Sequence, residues 1–305
     1  RRVHGDFGIL SSGRGTLPAL PFSLNTSMAE LVRRTLRDGV LDGEHAPSLT
    51  IKDNVDACLG CHVFNYFLSQ LSSSIAAGNS HAKAIVLVCY SRSASFYLQL
   101  LKQRGVDMSY AHKCLFILDC FTDPLGWKKQ LNLSGPSDSG MTRIITDVNN
   151  LDNMFSLVVE SGKGLVGLRK ERFTVAIDSI SAMLRHSSLL KMAEFLSNLR
   201  SHCNVSSMFW VLHSDLHEKN VASSLEYMSS MVTYVEQTDI GSPSDNATNS
   251  RARLHTRIKR RNGRVRAVIE EFSVTQNGIE ITSPSSKAGN FDQSLPKASL
   301  CTFGW

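Results

Sequence analysis

The amino-acid sequence predicts an α/β protein, with a mainly parallel sheet, helices on both faces and a C-terminal antiparallel hairpin. Three observations predict it. Short continuous apolar runs, such as residues 84–89 and 173–177, suit strands buried on both faces. Segments of helical period separate these runs, and strands alternating with helices build parallel sheets. Late in the chain the pattern becomes strict alternation on either side of Asn262-Gly263, a strong type I′ hairpin signal.

Each element follows in order. Leu31, Val32 and Leu36 mark a short helix that stops at Gly39, and residues 43–47 read as a turn. Leu49-Thr50-Ile51 is a short strand. Phe64, Phe67, Leu68, Leu71 and Ile75 stand at helical spacing, so residues 63–77 form an amphipathic helix ending at Gly78. A buried strand at 84–89 precedes a helix over 93–104, with Gly105 as its stop. Residues 115–118 are a strand, 144–159 a helix, 173–177 a strand and 180–200 a helix. The alternation closes with a strand at 208–212, a helix at 221–230 and a strand at 231–235.

Composition bounds the class. At 305 residues, 42% hydrophobic and 20% charged, the chain can bury a large core in one or two domains. No apolar run reaches the roughly 18 residues of a membrane span. The seven cysteines are scattered, and Cys89, Cys114 and Cys120 lie in apolar runs, which reads as reduced, buried thiols. Residues 1–27 are rich in Gly, Ser, Pro and Arg and are expected to be a disordered leader or transit-like segment, with Met28 the natural start. Residues 28–240 form the α/β domain, 241–250 a polar linker, 251–283 a basic hairpin completing the sheet, and 284–305 a disordered tail.

Three stretches have residues of the right type for chemistry. Asp178 ends the apolar run at 173–177, so it sits at a strand's C-terminal end, where open α/β sheets place ligands. It reads either as a Walker B carboxylate beside a nucleotide phosphate or as a cap on the next helix. Cys58-Leu59-Gly60-Cys61-His62 matches the haem-attachment pattern, but it opens a helix, has no evident axial partner and has no second C-x-x-C for zinc. His213-Ser214-Asp215-Leu216-His217 is either a metal cluster or triad fragment, or turn and cap chemistry. The phosphate loop is missing. The single Gly-Lys pair, Gly162-Lys163, has the wrong spacing, and Asp53 and Asp56 stand where the loop belongs. Tight nucleotide binding, a catalytic residue, a cofactor and a metal are therefore not expected.

The hairpin carries the charge. Arg251, Arg253, His255, Arg257, Lys259 and Arg261 alternate with Ala252, Leu254, Thr256, Ile258 and Arg260, and Arg264 and Arg266 lie on the return strand. Residues 251–266 hold eight Arg or Lys and no acid, so without them the net charge falls from +6 to −2. Period-two alternation puts most of these cations on one sheet face, which suits RNA phosphates, a solvated face or an acidic neighbour. Arg251, Arg253, Arg257, Lys259, Arg261, Arg264 and Arg266 are the candidate nucleic-acid contacts. Leu254, Ile258, Val265 and Ile269 are expected to carry the packing.

The 118–127 segment, with Asp123-Pro124-Leu125-Gly126-Trp127, resembles the D-P-L-x-W segment of the Elongator complex protein 5 family. Lys52-Asp53-Asn54-Val55, the degenerate Walker B at 175–181 and the Leu-His pairs at 212–217 fall in the family's order. The resemblance spans about residues 28–274. It implies a RecA-like fold without Walker motifs, and a non-catalytic subunit in a hetero-hexameric ring with Elongator proteins four and six. That ring binds tRNA and supports wobble-uridine modification in the cytoplasm and nucleus. Residues 284–305 depart from the family's polar, acid-ended tail. Asp123 and Pro124 read as a turn, and Trp127 as an anchor against the core or a neighbour. The rival readings are a RecA-type ATPase or recombination paralogue, which would bind nucleotide, and a c-type haem protein, which would absorb visible light.

Overall fold

A computed structural model describes residues 27–41, 46–130, 140–167, 171–238, 251–259, 262–275 and 278–282. The expected leader (1–27, apart from Ser27), the linker at 241–250 and the tail at 284–305 lie outside them.

The described strands form one ten-stranded sheet in the order β10-β9-β8-β7-β1-β6-β5-β2-β3-β4. These are β1 (Ser48–Asp53), β2 (Ala82–Cys89), β3 (Leu115–Asp119), β4 (Thr142–Ile144), β5 (Arg172–Ile177), β6 (Val205–His213), β7 (Met231–Gln237), β8 (Arg251–Lys259), β9 (Val265–Thr275) and β10 (Gly278–Thr282). The pairs from β7 to β4 are parallel. β8, β9 and β10 add antiparallel to the outer side of β7. The predicted α/β class, with its mainly parallel sheet and C-terminal hairpin, is the one observed.

The helices are α1 (Met28–Asp38), α2 (Gly60–Ala76), α3 (Ala94–Gln103), α4 (Met108–Cys114), α5 (Trp127–Gln130), α6 (Leu151–Val166), α7 (Ile180–Leu184), α8 (Leu189–Ser201) and α9 (Lys219–Tyr227). Strand alternation sends side chains to two cores. On one face α1 to α4 pack on Ile51, Leu87, Phe209, Leu254 and Phe272. On the other α6 to α9 pack on Val86, Val175, Met208, Trp210 and Leu212. Among the described residues none of β8, β9 or β10 joins this second core, and on that face the hairpin meets only the end of α9, at Glu226 and Tyr227.

Several boundaries differ from the sequence reading. The expected helix over 144–159 begins as the edge strand β4, and α6 starts at Leu151, capped by the Asn150 side chain on the Asn153 N–H at 2.9 Å. The helix over 180–200 is two, because the Ser179 and Ser188 side chains each cap a separate start. Gly162, half of the Gly-Lys pair, sits in α6, where a Cβ would collide with the ring of Phe173. It is a packing glycine between helix and sheet.

Candidate nucleic-acid interface and the sheet edge

β8 shows the alternation expected of it. Ala252, Leu254, Thr256 and Ile258 are buried, while Arg251, Arg253, Arg257 and Lys259 are exposed on the opposite face, with His255 half-buried between them. The register sets their neighbours. Arg253 lies opposite Glu271, His255 opposite Ile269, Arg257 opposite Ala267 and Lys259 opposite Val265. Residues directly opposite share a face, so Val265 and Ile269 stand on the cationic face. They are 54% and 53% exposed and do not carry the packing expected of them. Phe272, 1% exposed, fills that role on the covered face. Arg266 pairs with the buried Ile258 and thus belongs to the other face, away from the four β8 cations. Arg264 lies exposed in the turn, its N–H donating to the Asn262 side chain at 3.0 Å. Arg261 is outside the described residues.

Acids temper part of this face. Arg253 is 3.6 Å from Glu271, and Arg257 is 3.5 Å from Glu226, which Lys52 approaches at 2.7 Å. His255 meets Glu236 at 2.7 Å. Lys259 lies 4.3 Å above the exposed Tyr227 ring. Among the described residues Arg251 makes no ion pair. The Arg253 and Arg257 pairs are half-exposed and long, so their charges stay available to a phosphate.

The C-terminal edge of the parallel strands is built from carboxylates turned onto N–H groups. Asp53 at the end of β1 is buried and accepts from the Gly60 N–H at 2.6 Å, at the start of α2. A Cβ on Gly60 would stand 2.7 Å from that of Asp53. The carboxylate therefore occupies the helix terminus that would otherwise receive a phosphate. Burial raises the pKa of Asp53 against its hydrogen bonds to Gly60 and Asn54. Asp119 at the end of β3 accepts from the Ala94 N–H at 3.0 Å, where α3 begins, and from the Thr122 N–H at 2.8 Å.

Asp178 is held by four donors, as is Asp119, which also takes the Phe121 N–H and the Thr122 hydroxyl. Asp178 accepts from the N–H groups of Tyr90 at 2.6 Å, Ser91 at 2.9 Å and Arg92 at 3.2 Å, and from the Tyr97 hydroxyl at 3.1 Å. It thus ties the loop after β2. The cap reading is corrected, since the following helix is capped by Ser179 on the Ala182 N–H at 3.1 Å.

The 213–217 stretch is turn chemistry with one extra pair. Asp215 accepts from the Val55 N–H at 3.0 Å, and the His217 Nε2 meets the Ser181 hydroxyl at 2.8 Å. A cleft of about 400 Å³ opens beside that pair. Ser181 is 2% exposed, and its hydroxyl also accepts from the His213 N–H at 3.0 Å, so it is built into the chain rather than presented to a substrate. No group of three or more His, Cys, Asp or Glu suited to a metal occurs among the described residues. No helix among them is long and apolar enough to cross a membrane.

Trp127 is 66% exposed and is not an anchor in this chain's core. Phe121 and Leu125 beside it are 49% and 42% exposed. The loop beneath them is firmly held. Asp119 accepts from the Phe121 N–H at 3.0 Å, the buried Asp123 accepts from the Lys128 N–H at 3.3 Å, and the Gly126 N–H donates to the Asp123 carbonyl at 3.2 Å. The aspartate and turn part of the reading stands, and of the two anchor readings for Trp127 the one against this chain's core does not.

Sequence reasoning missed Glu270. It is 1% exposed and accepts from the N–H groups of Met28 at 2.7 Å and Ala29 at 2.9 Å, capping α1 from 241 or more residues away. Its only sequence signal is an acid at an inward position of an alternating strand.

Comparison with known proteins supports the family resemblance. Residues 138–281 match the family model described as Elongator subunit Iki1. The chain is 27% identical over 175 residues to Elongator complex protein 5 of Danio rerio, an alignment covering 57% of this chain and 50% of that protein. The chain thus spans about half the length of the relative it matches. Among solved structures, an uncharacterized protein of Pyrococcus horikoshii in complex with an unknown peptide superposes with a TM-score of 0.54 at 14% identity. That match covers 79% of this chain and 93% of the other, and at this identity it speaks to fold alone. A KaiC-like protein of the same organism reaches a TM-score of 0.47 at 14% identity, over 80% and 97% of the two chains.

Proposed function

This chain resembles Elongator complex protein 5, and from that premise we propose that it is a non-catalytic Elongator subunit. In this reading it joins Elongator proteins four and six in a hetero-hexameric ring, in the cytoplasm and nucleus. The ring binds tRNA and supports wobble-uridine modification, whose chemistry belongs to another subunit.

One observation carries the RNA part. Arg251, Arg253, Arg257 and Lys259 stand in a row on a sheet face that, among the described residues, only the end of α9 reaches, through Glu226 and Tyr227. Alternate residues of one strand lie about 7 Å apart, close to the spacing of successive phosphates. β8 and β9 place no Phe, Tyr or Trp on that face, and the rings beside the row are His255 and the exposed Tyr227 under Lys259, so the contact is mainly to backbone charge. Binding is then insensitive to RNA sequence and sensitive to salt. The exposed Phe121, Leu125 and Trp127, on a loop held by two aspartates, supply a pre-organised surface for a neighbouring subunit.

The test is tRNA binding by the assembled complex at several salt concentrations. Replacing Arg251, Arg253, Arg257 and Lys259 with Ala is expected to flatten the slope of log affinity against log salt by about 3 for a partly single-stranded RNA. Fold and assembly are expected to survive, because Leu254, Ile258 and Phe272 on the other face carry the packing. An unchanged slope would mean that the row does not meet RNA. Failure to assemble would assign it to an acidic protein surface.

A further inference from the structure

The Cys58-Leu59-Gly60-Cys61 stretch takes no part in the reading above. It occupies the turn between β1 and α2, at the C-terminal edge of the sheet. Cys58 is exposed and takes a φ of 50°, in the left-handed region that residues other than glycine rarely occupy. The turn is fixed around it. The Cys58 N–H donates to the Asn54 carbonyl at 3.2 Å, and the His62 N–H to the Leu59 carbonyl at 3.0 Å. Cys61 follows in the first turn of α2, half-buried, and its thiol donates to the Cys58 carbonyl oxygen at 2.8 Å.

That last contact fixes the spacing. Within one residue the carbonyl oxygen and Cβ are separated by about 3 Å, so the Cys61 sulfur rests within a few ångströms of the Cys58 side chain. A disulfide needs Cβ atoms about 3.8 Å apart, a separation the backbone turn must hold or close to, while rotation about the two side chains brings the sulfurs together.

We propose that Cys58 and Cys61 are a redox modification site, closing reversibly into an intramolecular disulfide. The thiolate of Cys58, the exposed partner, attacks one sulfur of a low-molecular-weight disulfide such as glutathione disulfide. The S–S bond breaks, one glutathione thiolate leaves, and Cys58 becomes a mixed disulfide. Cys61 then loses its proton to solvent and attacks the Cys58 sulfur, expelling the second glutathione. Two protein thiols are oxidised to one disulfide, and one glutathione disulfide is reduced to two thiols.

The asymmetry of the pair sets this order. Burial raises the Cys61 thiol to about 11, with the neighbouring Cys58 adding to the effect, so Cys61 is the resolving partner. Cys89, Cys114 and Cys120 are buried and do not compete, and Cys203 is the other exposed thiol among the described residues.

The test equilibrates the full chain, folded, in buffers of graded glutathione to glutathione-disulfide ratio, then alkylates and maps the peptides. The parent is expected to lose both alkylatable thiols of the 58–61 peptide together as the ratio falls, and to regain them on reduction. Cys61→Ser is expected to accumulate the glutathione adduct on Cys58, and Cys58→Ser to leave Cys61 free. Thermal melts of both variants establish that they are folded. The proposal is overturned if both thiols stay alkylatable in the most oxidising buffer. It is equally overturned if the parent stops at the Cys58 adduct, or if the only disulfide found involves Cys203.

Discussion

At Asp178 four donors meet one carboxylate, yet burial still pushes its pKa from 3.8 up to about 6. Desolvation outweighs the Tyr90, Ser91, Tyr97 and Arg92 hydrogen bonds because the group is out of water. The folded state then holds a proton that the unfolded chain has already released. This group's contribution to stability is fully present below about pH 4 and is lost as pH rises through about 6. A shift of this size is worth roughly 3 kcal/mol. The check is chemical denaturation of the parent and Asp178→Asn across this range, since the amide cannot titrate and other groups cancel in the difference. The parent's stability relative to the variant should fall as pH rises from about 4 to about 7. A flat or rising difference would place the carboxylate in water. The sequence made this residue conspicuous, as an acid ending an apolar run. Its partners were not legible, because residues 90–92 and Tyr97 reach it only through the parallel pairing of β2 with β5.

Among the elements, local periodicity was readable and long-range partnership was not. The 3.6-residue spacing in α2 and the alternation in β8 both appear in the fold, because each reports one element facing one core. The face taken by β9 was misread. Its apolar Val265 and Ile269 look inward by composition, but the register with β8 turns them outward and brings Glu270 and Phe272 in. Two element-scale predictions follow from that register and from the loop after β3. Glu270→Ala removes the cap of α1 and leaves two N–H groups buried, so it should cost about 2 kcal/mol and raise amide hydrogen exchange at Met28 and Ala29 first. Exchange that rises evenly across the sheet would show that the residue acts otherwise. Trp127→Ala, at a ring 66% exposed, should change the stability of the isolated chain by less than about 1 kcal/mol. A loss near the 3–5 kcal/mol of a buried aromatic would return the ring to the core.

The whole molecule sets its carboxylates where a nucleotide-binding α/β protein sets its amides free. β1 lies second among the seven parallel strands, between β7 and β6, and the helix after it is the natural seat of a phosphate. Asp53 closes that seat through the Gly60 N–H, while Asp119 and Asp178 bind the N–H groups at the start of α3 and in the loop before it. A triphosphate arriving there would have to displace hydrogen bonds and face three acids, with no Gly-Lys loop to offset either cost. The missing loop was legible in the sequence; the use of its space by Asp53 was not, since that needs the geometry of the β1–α2 turn. The prediction is that the purified chain neither binds nor hydrolyses ATP. A ligand that binds only the folded state at a hundred times its Kd adds about 2.7 kcal/mol to stability, so magnesium and ATP in millimolar excess should leave the melting temperature where it was. The same preparation should release no phosphate above a blank. A rise in melting temperature that disappears when magnesium is chelated would show a nucleotide site that these three aspartates do not close.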